Sequence, residues 1–327
     1  MNPLPIDHPE LANGLTNHEP MVVSALNELG ASELTVRRYQ QHTQAKLQPI
    51  TEPPTDISDD TVLQGWLGRQ TNYSGLYRYF YQQTQRYPLD DLLNRYLPGL
   101  ADGLTSRAFH PLIRLGHAVH DRNNEEVAAA LAYWVWAYQP LPYPNEDQPA
   151  NKTPAEVFPT LLDSVDWPDE SIDGGPLISD DFLAVTRLLP YQQLRFQLRP
   201  QQLELGALSQ LAIQAYWMHD NFTLLHGVTG SLAIARLSQW LERPAVLLEP
   251  YWKGLVIAWL STGLRWQEQE WPNEPPRLSV EQLRQRATQT MNDHPIKLVA
   301  ACLNFYQHSG EVLYLHCAER AVHKTLS

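Results

Sequence analysis

Histidines recur at one spacing in two apolar blocks of this chain. His110 and His117 stand seven residues apart in FHPLIRLGHAVH, and His219 and His226 repeat that offset in HDNFTLLHG. On a helix, seven residues are close to two turns, so each pair falls on nearly one face. His294 precedes Pro295 at an expected helix start, DHPIKLVAACLNFY, with Lys297 three residues on and Ile296, Leu298 and Val299 around it. Neutral imidazole is the commonest metal-ligating side chain, and helical bundles build metal sites by projecting ligands inward from different helices. A lone histidine on an apolar face is ordinarily a hydrogen-bonded core residue, whereas several on separate helices point to a shared centre. Lys297 needs its own account, because a buried ammonium is costly unless paired or deprotonated. Either it snorkels outward or its surroundings change its chemistry.

Other chemistries find little support. There is no GxGxxG, no GxxxxGK[ST] and no GxSxG, which counts against dinucleotide binding, P-loop chemistry and serine hydrolysis. Gly227 and Gly230 in HGVTG lie in an apolar helical stretch and read as close-packing positions. Cys302 and Cys317 match no zinc-finger spacing and are too few for a disulfide scaffold. A formal net charge of -12 gives no electrostatic basis for binding nucleic acid or anionic lipid. The start, MNPLPIDHPELANG, lacks the pattern of a secretory signal. The most apolar segment, 255 to 260, is bounded by Lys253 and Arg265, which suits a buried helix. A soluble, cytoplasmic protein without nucleic-acid or membrane partners is expected.

The elements that must position these residues are helical. Apolar residues such as Val22, Ala25, Leu26 and Leu29 recur at helical spacing, with Gly30 as a stop. Helices are expected near 19–29, 33–46, 59–67, 72–85, 89–97, 106–121, 124–138, 205–220, 222–240, 250–266, 279–291, 294–308 and 310–325, and strand patterns are nearly absent. Residues 47–58 and the proline-rich stretch 139–180 read as loops. In the second, Val157, Phe158, Leu161, Leu162 and Trp167 point to an ordered excursion packed on the body rather than a hinge. No repeat of 20 to 50 residues occurs. The expectation is an all-α, single multi-helix domain over 1–327 with a long Pro-rich ordered loop.

The blocks NHEPMVVSALNELG (17–30), HPLIRLGHAVH (110–120), EVAAALAYWVWAY (126–138), FTLLHGVTGSLAI (222–234) and DHPIKLVAAC (293–302) resemble, in order, the motifs of the questin oxidase-like family. The resemblance implies an all-helical fold and oxygen-dependent chemistry on aromatic polyketides of the anthraquinone type, including ring opening. It also implies a non-heme iron held by histidines and a carboxylated lysine. Carried over, the metal-binding and catalytic set is His18, His110, His226, His294 and Lys297. A neutral lysine amine adds carbon dioxide to become an anionic carbamate donor, and imidazoles with one oxygen donor suit Fe(II). This chain departs from the family pattern at His117 and His120, where an aromatic and a glutamate are common, and at His219. His117 and His219 read as supporting or core residues, and Asp293 as a helix cap or a carboxylate behind the ligands. Tyr133, Trp134, Trp217 and Trp252 are candidates for the wall of a flat substrate pocket.

Three functions are thus in view. The first is an iron-dependent oxygenase taking dioxygen and a small aromatic substrate. The second is an NADPH- or flavin-dependent Baeyer-Villiger-type monooxygenase, for which the chain has no dinucleotide motif. The third is a non-catalytic helical binding protein.

Overall fold

Helical periodicity is realised throughout the computed structural model, which describes residues 7–144, 151–196, 198 and 203–324. The first half carries α1 (Glu19–Glu28), α2 (Glu33–Gln44), α3 (Asp60–Gln64), α4 (Tyr73–Arg86), α5 (Leu89–Leu100), α6 (His110–His120) and α7 (Asn124–Ala137). After short pieces α8 (Pro154–Val157), α9 (Ile178–Arg187) and α10 (Leu189–Gln193) come the long helices α11 (Leu205–His219), α12 (Phe222–Ser238) and α13 (Ala245–Ser261). The chain continues through α14 (Val280–Ala287), α15 (Asp293–Ser309) and α16 (Val312–His323). Among the described residues there is no strand, only isolated bridges, so the all-α class holds. No helix among them is long and apolar enough to cross a membrane.

Local chemistry sets the helix ends. Gly30, at φ +82°, takes the left-handed position that stops α1, and Gly310, at φ +74°, does the same for α15. The Asn221 side chain accepts from the amides of Thr223 and Leu224 to start α12, and Asn292 accepts from His294 N–H to start α15. Asn292 therefore caps α15, which leaves the Asp293 carboxylate for other work.

The centre of the molecule is built on α6, α7 and α12, whose residues are buried over nearly their whole lengths. Gly116 permits a close approach of α6 to α12, since a Cβ there would stand 2.6 Å from the Ala233 Cα. Gly227 and Gly230 are packing positions as expected: added Cβ atoms would meet Leu255 at 2.9 Å and Tyr251 at 3.3 Å. Buried apolar side chains from α1 through α16 join in one cluster.

Two prolines displace the expected boundaries. Helix α13 begins at Ala245 rather than Pro250, which lies inside it, and α5 runs past Pro98 to Leu100. Each proline forfeits a ladder hydrogen bond that packing offsets. The stretch 139–180 is less of a loop than expected. It contains α8 and a 3₁₀ turn at Phe158–Thr160, and α9 begins at Ile178 within it. Val157, Phe158, Leu161, Leu162 and Trp167 are buried, while residues 145–150, with Pro149, lie outside the described residues, as do the chain ends 1–6 and 325–327.

Candidate metal centre

His18 ends the segment before α1, His110 opens α6, His226 sits one turn into α12, and His294 with Lys297 occupies the first turns of α15. These elements bring the four rings together. The His18 and His110 rings stack with centroids 4.8 Å apart, and His294 lies 4.7 Å from His18. His226 is 4.9 Å from His110 and 5.4 Å from His294. One ring nitrogen each from His18, His110 and His294 falls within 4.8 Å of the others. Lys297, 1% exposed, lies within electrostatic reach of all four rings, and of His117 as well.

Hydrogen bonds fix which nitrogen of the His18, His110 and His226 rings faces inward. His18 Nδ1 donates to Asp293 Oδ2 at 3.2 Å, and Asp293 Oδ1 accepts the Tyr39 hydroxyl at 2.7 Å. His110 Nδ1 donates to the Arg107 carbonyl, and His226 Nδ1 to the Phe222 carbonyl at 3.0 Å. With those protons placed on Nδ1, the Nε2 atoms carry bare lone pairs. His18 Nε2 and His110 Nε2 then face each other at 2.9 Å. The Nε2 atoms of His226 and His294 are buried with no partner. Facing lone pairs repel, and orphaned buried acceptors are costly, unless a cation lies among them.

A transition-metal ion fits the nitrogens of His18, His110 and His294, while His226 stands outside their 4.8 Å limit. Two nitrogens each about 2.1 Å from one ion stand about 3.0 Å apart when they subtend a right angle, close to the His18–His110 separation. Donors on opposite sides of the ion would be about 4.2 Å apart, so the widest spacing among His18, His110 and His294 needs about half an ångström of closure.

The electrostatics keep the rings neutral. Burial, with Lys297 adding to it, lowers His18 to about 4 and His226 to about 3, and drives His294 far down. His110 is held well below the usual range by burial and by its neighbours His18 and His226. Burial lowers Lys297 to about 8 against the opposing pull of Asp293. Among the described residues, no carboxylate lies within ion-pair distance of Lys297. Lys297 therefore does not snorkel outward, and its surroundings favour the neutral amine.

The segment leading into His110 is strained. Arg107, Ala108 and Phe109 adopt φ +48°, +52° and +69° in succession, a conformation that costs each non-glycine residue roughly 1 kcal/mol. Two anchors hold it. The Arg107 guanidinium pairs with buried Glu10 at 2.5 Å, and Glu10 also accepts the Tyr133 hydroxyl at 3.1 Å. The Phe109 ring fills a slot beside Gly254, where an added Cβ would come within 2.6 Å of it. The result aims the Arg107 carbonyl at His110.

The other histidines do not join the centre. His117 Nδ1 accepts from Arg236 at 3.1 Å and lies 3.0 Å from Ser24 Oγ, with Arg236 paired to Glu28. His120 is exposed, and His219 Nε2 donates to the Arg265 carbonyl at 2.9 Å. The expected aromatic wall is elsewhere too. Tyr133, Trp134 and Trp252 are wholly buried core residues, and Trp217 packs under Arg320. The aromatic side chain that does touch the centre is Phe222, with its centroid 4.5 Å from His294 and 5.1 Å from His226. It precedes His226 by one helical turn, a spacing visible in the sequence. Tyr39, Arg107 and Glu10 gave no such signal.

No curated protein matches the chain. A family model does, described as questin oxidase-like and covering residues 15–302, a span that includes His18, His110, His226, His294 and Lys297. The chain belongs to the questin oxidase-like family.

Proposed function

We propose that this protein is a non-heme iron oxygenase acting on an aromatic, anthraquinone-type polyketide, with ring opening as its reaction. The observation that carries the reading is the meeting of bare Nε2 atoms: His18 and His110 at 2.9 Å, with the buried, partnerless Nε2 atoms of His226 and His294 beside them. His18, His110, His226 and His294 would hold the iron, and Lys297 would complete the set as a carbamate. When bound, Fe(II) supplies the capacity to activate dioxygen, which a chain without redox cofactor motifs otherwise lacks.

The protein's own groups prepare that chemistry. As a neutral amine, Lys297 attacks carbon dioxide to form an N–C bond and releases one proton, and the product is an anionic oxygen donor. Asp293, itself braced by Tyr39, holds the Nδ1 proton of His18, while main-chain carbonyls hold those of His110 and His226. The buried setting limits water at the site and strengthens each of these interactions. The converging rings argue against the packing-only alternative, and the sequence carries no dinucleotide motif for a nicotinamide or flavin. That the cluster unites α1 with α15 supports taking residues 1–327 as one domain.

The test is metal content. Protein purified without chelators under low oxygen is expected to contain close to one iron per chain, and His226→Ala or His294→Ala to lose it while remaining helical by circular dichroism. Wild-type protein that neither retains nor takes up a transition metal would refute the proposal.

A further inference from the structure

A cleft of about 200 Å³ opens on the surface where the end of α11, the start of α12, the start of α15 and the end of α16 meet. Its lining includes Phe222, Leu225, His294, Pro295 and Leu298. The cleft therefore reaches one of the four convergent histidines, which the other cavities described do not. Phe222 lines the cleft beside His294, in contact with two of the rings. Its side chain is unusual for a large apolar group, being 53% exposed yet in ring contact with two imidazoles, His226 and His294. Both imidazoles present buried Nε2 atoms with no partner.

The backbone of Phe222 is fixed. It is the first residue of α12, Asn221 caps the helix, and its carbonyl accepts from His226 Nδ1. The side chain has no hydrogen bond to break and already faces water on one side. Rotation about its side-chain torsions can thus clear the cleft without moving the helix, on the fast timescale of exposed rotamers. The cleft as it stands is smaller than ordinary small-molecule sites of about 300–1,000 Å³. Removing the phenyl from its mouth is the least disruptive way to enlarge it.

We propose that this cleft is the ligand site and that the Phe222 phenyl is its internal occupant, standing where a flat aromatic ring of the ligand packs against His226 and His294. The class of ligand follows from the contact. A surface that accepts a phenyl tilted over two imidazoles, lined by leucine and proline and also by Asp220, Asn292 and Lys324, suits a planar unsaturated ring that carries polar substituents. Phe222 then sets specificity, because the ligand must displace it. The inference rests on the functional reading above for the purpose of the ligand and on cleft geometry for its position.

The experiment uses full-length, metal-free protein and 1,8-dihydroxyanthraquinone as the probe. Binding is followed by tryptophan fluorescence, and histidine access by carbethoxylation with peptide mapping. Phe222→Ala is expected to bind the probe at least 10-fold more tightly than wild type and to carbethoxylate His294 several-fold faster. Phe222→Trp is expected to weaken binding, and saturating probe to protect His294 in the wild-type protein. Phe222→Leu, which keeps bulk without the ring, is expected to fall between the alanine variant and wild type. Equal affinity in all four proteins, or probe binding that leaves His294 unprotected, would overturn the assignment. Protection of His294 in a chain that never takes up iron would uphold the cleft and sink the iron reading, and a full complement of iron with no protection would do the reverse.

Discussion

Asp293 accepts a hydrogen bond from His18 at 3.2 Å across 275 residues of chain, and its second oxygen accepts the Tyr39 hydroxyl at 2.7 Å. Carboxylates behind metal-bound imidazoles commonly tune affinity 10- to 100-fold. Asp293→Asn keeps the shape and removes the charge, so cobalt(II) affinity measured by absorbance titration should fall by about that factor. Tyr39→Phe, which leaves the carboxylate in place, should cost less. Unchanged affinity in Asp293→Asn would show that Asp293 has no hold on the centre.

The histidines also predict an acid limit for the metal-free protein. His18 and His226 fall from 6.5 to about 4 and about 3 because burial penalises the cation. Above pH 6.5 the rings are neutral in both folded and unfolded chains and contribute no pH dependence. Below it the unfolded chain takes up protons that the folded one refuses, so each ring removes about 1.4 kcal/mol of stability per pH unit until its folded value is reached. Urea midpoints should decline from pH 6.5 toward 4, and His226→Gln should decline less steeply. Parallel slopes for the two proteins would disprove the assignment.

Lys297 carries a buried amine with no paired anion among the described residues. Its descent from 10.5 to about 8 means that the protonated form costs about 3 kcal/mol at pH 7, a cost present throughout the range below the folded value. Lys297→Met should therefore stabilise the metal-free protein while weakening cobalt(II) binding. In ¹³C-bicarbonate, the wild-type protein should show a carbamate resonance that this variant lacks. Loss of stability in Lys297→Met, with no carbamate signal in the wild type, would remove the lysine from the centre.

Glu10 should matter to metal affinity although it touches no ring of the centre. Through Arg107 it holds the strained turn whose carbonyl orients His110. Glu10→Gln is expected to lower cobalt(II) affinity about 10-fold and to alter the cobalt visible spectrum. Glu10→Asp should recover part of the loss. Glu28→Gln, at the Arg236 pair away from the four rings, should lower the melting temperature with an unaltered spectrum. Identical spectra in both Gln variants would reduce the turn to a structural feature.

The histidines show what one dimension records and what it hides. Same-face spacing marked His110 and His226, whose rings the fold brings together, but could not separate them from His117 and His219. Seven residues advance a helix by about 10.5 Å, too far for His110 and His117 to share an ion. His219 and His226 are not on one helix at all, because α11 ends at His219 and Asp220, at φ +50°, redirects the chain before α12. His18 has no patterned neighbour and was marked only through the family blocks. The support from Glu10, Arg107 and Tyr39 depends on long-range packing, which leaves no spacing to read. The helices were legible from periodicity, whereas Pro98 and Pro250 misplaced two ends because tertiary packing offset a local penalty.

The pairing of α1 with α15 bears on biosynthesis. His18 leaves the ribosome far ahead of His294 and Lys297, which stand more than 270 residues further along the chain. A nascent chain that has already packed α6 against α7 still lacks two of the five proposed ligands. On the proposed ligand set, loading of an ion would wait until α15 has emerged and packed, and a truncation just before α15 is expected to yield a helical product unable to retain one.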